Sequence, residues 1–190
     1  MWWLGSQLAR DGFPVHYFNY STTRSAFDQE AERLAKFIDE IGPEVNMVGH
    51  SLGGLLAVAA ASRVKASGKI VALGSPFNGS VAAKWLADSP LGAPMLGNSR
   101  ELLGRKFDVL LNDRWKLGIV AGTSTLGLGL ITGTLNGPHD GTVRVEETKL
   151  PGAAHVLVPT THTCMIWSGK VRAQIVNFLR EGKFIEPEQV

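Results

Sequence analysis

The chain has 190 residues, 44 % hydrophobic and 19 % charged, which fits one globular domain with a real core and excludes a disordered chain. A formal net charge of +2, with no run of Lys and Arg, argues against nucleic acid as the partner. The single cysteine, Cys164, excludes an intrachain disulfide, is compatible with a reducing compartment, and is expected as buried packing.

The N-terminal stretch MWWLGS lacks the basic region and apolar core of a signal peptide, so a cytoplasmic location is the expectation. Residues 2 to 10 suit a short helix with Trp3, Leu4 and Leu8 near one face, ended by Asp11-Gly12. Phe13 to Phe18 reads as a strand. Phe27, Ala31, Leu34, Ile38 and Ile41 are spaced by four, three, four and three, which is one apolar face of a helix stopped by Gly42-Pro43. Val45 to Val48 reads as a short apolar strand. A helix follows Ser51, buries Leu55, Leu56, Ala59 and Ala60, and runs to about Ala66 with Gly68 as its stop.

Ile70 to Leu73 is a further apolar strand, closed by Gly74-Ser75-Pro76. Residues 77 to 113 have weak periodicity and are expected as short helices over one end of the sheet, forming a small cap or lid. Residues 117 to 135 carry no charge over 19 positions, close to the length of a membrane-spanning helix, but ten of them are Gly, Ser or Thr. They are read as a buried strand, Leu117 to Ala121, and a small-residue loop, so no transmembrane segment is expected. His155 to Val158 reads as the last strand, and Val171, Ile175, Phe178 and Leu179 mark a C-terminal helix face. No internal repeat or long linker divides the chain. Short, wholly apolar strands alternating with helices predict the α/β class: a doubly wound, mainly parallel sheet with helices on both faces, residues 1–190 forming one domain. In such sheets function sits at the carboxyl ends of the strands.

Gly49-His50-Ser51-Leu52-Gly53 fits G-x-S-x-G, with a strand before it and a helix after it, the context the motif demands. A serine on so sharp a turn is strained, and its neighbours two residues either side come close together, which favours glycine. Its hydroxyl projects at the helix N-terminus, where the Leu52 N–H and the helix dipole can hold an oxyanion. A helix cap alone would not ask for both glycines.

A serine nucleophile needs a base and usually an orienting acid, in the order Ser, acid, His on this architecture. His16 and His50 lie upstream of or beside the serine and drop out as bases. His162 follows the last strand directly and is the expected base; His155 lies at that strand's other end and reads as structural, and His139 as a solvated loop residue. Asp140, in the stretch GPHDGTV after the Lys116 to Ala121 strand, is the expected acid, with Asp108 and Asp113 as competitors that precede that strand. Asp-Gly is also a plain turn signature.

With these residues in hand, the sequence resembles the α/β-hydrolase superfamily, nearest the small bacterial lipases and esterases related to triacylglycerol lipases and GPI-inositol deacylases. The resemblance rests on Val48-Gly49-His50-Ser51-Leu52-Gly53-Gly54, Gly74-Ser75-Pro76-Phe77-Asn78-Gly79-Ser80, Asp140-Gly141-Thr142-Val143 and Thr161-His162, in the family's order. It implies cofactor-free hydrolysis of carboxylic esters with Ser51, Asp140 and His162 as triad. Family members carry a further strand, ending in His-Gly, before a helix resembling residues 2 to 12, and the loop after it supplies a second oxyanion N–H. This chain has no His-Gly pair. The expectation is therefore that the natural protein begins upstream, that the fold here is N-terminally truncated, and that activity is impaired.

The leading expectation is a serine esterase or lipase, with Leu52 in the oxyanion hole and Trp85, Leu86, Leu91, Met95 and Leu96 lining the acyl pocket. Its partner would be a small-molecule or lipid ester, reached by transient contact with a membrane surface, and no cofactor, metal or nucleic acid is required. Two alternatives stand beside it: a thioesterase or acyltransferase using the same triad, and a catalytically dead scaffold used for binding.

Overall fold

The computed structural model describes residues 1–21, 25–88, 103, 106–107, 111–126 and 135–186. Among these, four strands pair in parallel in the order β1-β2-β3-β4: β1 (Met47–His50), β2 (Gly68–Leu73), β3 (Trp115–Gly122) and β4 (Ala154–Val158). The helices are α1 (Trp2–Arg10), α2 (Phe27–Ile41), α3 (Leu52–Ala61), α4 (Val81–Asp88), α5 (Val145–Thr148) and α6 (Gly169–Glu181), with a 3-10 turn at Thr163–Trp167.

Side chains of β2 show why the strands are apolar throughout. Ile70 and Ala72 join the core formed with α2 and α3, whereas Val71 and Leu73 join the core formed with α1 and α6. Helices thus cover both faces of a parallel sheet, the doubly wound α/β arrangement expected. α2 turns Ala31, Leu34, Ala35 and Ile38 inward along the predicted stripe, and α6 does the same with Val171, Ile175, Phe178 and Leu179. α3 lies between the sheet and α2, so every residue from Leu52 to Ala61 except Gly53 is buried.

The structure corrects the sequence reading in several places. Phe13 to Phe18 is not a strand. β1 is the edge of the sheet, and a cavity of about 420 Å³, lined among others by Phe13, Val15, Phe18, Val48 and His50, separates it from this segment. Paired strands stand about 4.8 Å apart, and nothing among the described residues is placed to pair with either side of that gap. β1 itself begins at Met47 rather than Val45. α3 ends at Ala61 rather than Ala66, because Ser62 Oγ donates back to the Ala59 carbonyl (2.8 Å) and Arg63 N–H to that of Ala60 (2.9 Å). That turn lets Val64 and Ala66 pack inward before Ser67 bridges to Glu44. Gly68 is the first residue of β2, not a helix stop.

Residues 123–126 leave β3 as a loop, and no helix among the described residues is long and apolar enough to cross a membrane. Of the expected cap, α4 is the described helix; most of residues 89–110 lie outside the described residues.

Candidate active site

β1 ends at His50, α3 starts at Leu52, and the single residue between them makes the turn. Ser51 has φ 55° and ψ −122°, and among the described residues it is the one non-glycine residue with positive φ. That geometry is strained for any residue with a Cβ. Two bonds hold it: Ser51 N–H donates to the Leu73 carbonyl at the end of β2 (2.8 Å), and the Ser51 carbonyl accepts from Gly54 N–H (3.1 Å). The turn is closed so tightly that a Cβ on Gly49 would stand 2.4 Å from the Gly53 carbonyl. Gly53 is freer, its own Cβ meeting the Tyr20 hydroxyl at 3.3 Å, whereas a Cβ on Gly54 would fall 2.0 Å from Ser75 Oγ. Steric need therefore falls on the glycines two before and three after the serine. Leu52 N–H opens α3, where helical donors have no intrahelical partner.

Asp140 is buried and saturated with donors. Oδ1 accepts from Thr142 N–H (2.9 Å) and Val143 N–H (2.7 Å), and Oδ2 stands 2.7 Å from His162 Nδ1. His162 N–H also donates to the Asp140 carbonyl (2.8 Å). A carboxylate can only accept, so Nδ1 carries the proton and Nε2 is left with its lone pair. The pair sits against Gly74, directly after β2: a Cβ there would lie 3.0 Å from both Asp140 Oδ2 and His162 Nδ1. Because Ser51 hangs from Leu73 and the acid–base pair packs on Gly74, all three predicted residues meet at the carboxyl ends of adjacent strands. Among the described residues, no hydrogen bond joins Ser51 Oγ to His162.

The acid loop is anchored by Asn78, which lies in one of the stretches that carry the resemblance, and by Glu147, which does not. Asn78 Nδ2 donates to the carbonyls of Glu146 (3.1 Å) and Lys149 (2.7 Å). Buried Glu147 accepts from Val81 N–H (2.8 Å) at the start of α4 and from Arg144 N–H (2.8 Å).

Other predictions fare differently. His155, read as structural, stands with Nε2 2.8 Å from Thr148 Oγ1. His139 is not solvated: it is buried, and its Nδ1 accepts from Gly141 N–H (3.0 Å), bracing the turn that carries Asp140. Cys164 is exposed rather than buried, because the turn at Thr163–Trp167 sends Met165 inward instead. Asp113 is exposed, and Asp108 lies outside the described residues. Trp85 is exposed on α4, while the Leu86 side chain and Leu91, Met95 and Leu96 lie outside the described residues.

His50, set aside as a base, is part of the cluster, with Nε2 2.9 Å from the His162 carbonyl. Tyr20 stands over Gly53, and burial, helped by Glu30, pushes its phenol up to about 12, so it stays protonated. No group of three or more His, Cys, Asp or Glu among the described residues is placed to hold a metal ion.

Comparison with known proteins bears on the fold and the family. No curated protein matches the chain. Among solved structures it is similar to mature lipase BlEst2 of Bacillus licheniformis, at 23 % identity and TM-score 0.64, over 81 % of this chain and 73 % of that one. The propeptide form of the same lipase aligns at 18 % identity and TM-score 0.68, over 87 % of this chain and 43 % of that one, so the chain spans less than half of its length. Paleococcus ferrophilus monoacylglycerol lipase aligns at 16 % identity and TM-score 0.55, over 93 % and 86 %. At these identities the likeness speaks for the fold. Residues 1–168, which include the serine turn, the acid loop and His162, match the family described as alpha/beta hydrolase, and with that match the parallel sheet and its helices find their place: the chain belongs to the alpha/beta hydrolase family.

Proposed function

We propose that the chain is a serine hydrolase that cleaves carboxylic esters through an acyl-enzyme on Ser51. The observation that carries this reading is the strained Ser51 turn, held at the same strand ends as the hydrogen-bonded Asp140–His162 pair. A positive φ on a serine costs about 1–3 kcal/mol and is concentrated at functional sites. A cap or a plain turn would relax it.

In this mechanism Ser51 Oγ attacks the ester carbonyl while His162 Nε2 takes its proton. Asp140, accepting from Nδ1–H, keeps the ring in the tautomer that leaves Nε2 basic and stabilises the imidazolium. Negative charge on the carbonyl oxygen is held by Leu52 N–H at the positive end of α3. His162 then returns the proton to the leaving alcohol, and water, activated by the same nitrogen, releases the acid. An ester with an apolar acyl group, as from a lipid, is the substrate class we favour, on the likeness to solved lipases.

A fluorophosphonate probe tests this directly. Wild-type protein should label, Ser51→Ala should not, and hydrolysis of a p-nitrophenyl ester should be lost with the label. A folded wild-type protein that neither labels nor hydrolyses would leave the fold as a binding scaffold. Product analysis with thioester substrates and alcohol acceptors separates hydrolysis of esters from the thioesterase and acyltransferase readings.

A further inference from the structure

His50 occupies the variable position before the serine, at the last residue of β1, and it reaches across the site. Its Nε2 lies 2.9 Å from the main-chain carbonyl of His162, 112 residues away in sequence. A carbonyl can only accept, so the neutral ring must carry its proton on Nε2 and donate it there. The two imidazole rings are also in contact, with centroids 4.7 Å apart and planes tilted by 47°.

The His162 backbone is thereby held on both sides of its Cα. Asp140 takes its N–H, and His50 holds its C=O. Among the described residues, these two bonds tie the His162 backbone to other parts of the chain. The ring of His162 is bounded likewise, with Asp140 on Nδ1 and His50 against its face. We infer that His50 is a positioning residue for the base: its Nε2–H fixes the His162 carbonyl, and its ring is the wall that keeps the His162 imidazole where Asp140 holds it. This rests on the serine-hydrolase reading above.

The role asks that His50 be uncharged, since a cation at this distance would oppose the charge that His162 takes up in catalysis. Burial, followed by the charge of the His162 ring, brings the His50 pKa down to about 4, while the hydrogen bond to the His162 carbonyl and then Asp140 work the other way and the Met1 amino group adds to the lowering. His50 is therefore neutral throughout the range in which a histidine base works.

The test uses the whole chain, a fluorophosphonate probe and a p-nitrophenyl ester. His50→Phe fills the space without a donor, and His50→Gln restores one at similar reach. The expected result is a fall in kcat of about 10–100-fold for His50→Phe with KM little changed, the scale of a misplaced catalytic group. His50→Gln should recover most of that loss. A role in packing alone predicts the opposite ranking, because Phe packs better than Gln. Should His50→Phe not fold, the wild-type ring decides: long-range ¹H–¹⁵N correlation must show the proton on Nε2, and a proton on Nδ1 overturns the inference. A wild type that labels and turns over, with His50→Phe equal to it, overturns the role of His50 alone. A wild type that does neither overturns the serine-hydrolase reading, and this inference with it.

Discussion

At the scale of single residues, the site depends on places where a side chain is missing. Gly74 has φ 56°, and its bare Cα is the floor on which Asp140 and His162 meet. A methyl group there would stand 3.0 Å from Oδ2 and from Nδ1, and 3.1 Å from Cε1 of the imidazole, closer than ordinary contact allows. Gly74→Ala should therefore cost about 1–2 kcal/mol from the left-handed backbone alone. It should also push acid and base apart, lowering kcat by about 10-fold or more while KM changes little. Thermal unfolding and steady-state kinetics on one ester check the two halves independently. Gly137 has φ 80° but nothing within 4 Å of a Cβ, so Gly137→Ala should show the backbone cost without the catalytic one.

Among the elements, β2 and its entry show what a sequence discloses and what it hides. Gly68 reads as a helix stop, yet it begins β2, with φ 156° and a Cβ that would fall 2.0 Å from the Val45 carbonyl. Gly68→Ala must move backbone, not a flexible side chain, and should destabilise by about 2–3 kcal/mol, read as a lower urea midpoint at unchanged slope. The α2 and α6 stripes and the apolar strands β2 and β3 were legible because one face or both faces are buried, and burial writes periodicity into sequence. The end of α3 was not, because Ser62 and Arg63 stop it through side-chain and main-chain bonds without a Gly or Pro. Nor was the fate of Phe13 to Phe18, since a strand is a property of two segments and the second partner was never in the pattern. The roles of His50, His139 and Glu147 escaped for a similar reason: each is defined by a partner on another loop. That Ser51, Asp140 and His162 come to the same end of the sheet could be read in advance, because chain order and strand ends constrain where such groups can sit.

For the molecule as a whole, the beginning and the end of the fold are tied together. α1 and α6 share the second core through Leu4, Leu8, Ile175 and Phe178, and at its rim Asp11 receives Arg172 Nε (2.7 Å) and Nη2 (2.5 Å). The guanidinium hydrogen bond holds the Asp11 carboxyl below its ordinary 3.8, against the opposing effect of burial. A carboxyl whose folded pKa is depressed stabilises the fold at pH above its unfolded value, and that stabilisation fades as pH falls through the folded one. Asp11→Asn should therefore lower the urea midpoint at pH 7, and the gap from wild type should close as the pH falls through the lowered folded pKa of Asp11. Two-pronged geometry on a partly buried carboxylate is what separates this pair from the single contact of Arg63 Nη2 with Asp28 (2.7 Å), where the acid is 81 % exposed. Asp28→Asn should leave the midpoint nearly unchanged at either pH, because water and salt screen such a pair. Equal losses in the two variants would mean that general surface charge, not the clamp between α1 and α6, sets the acid limit of the fold.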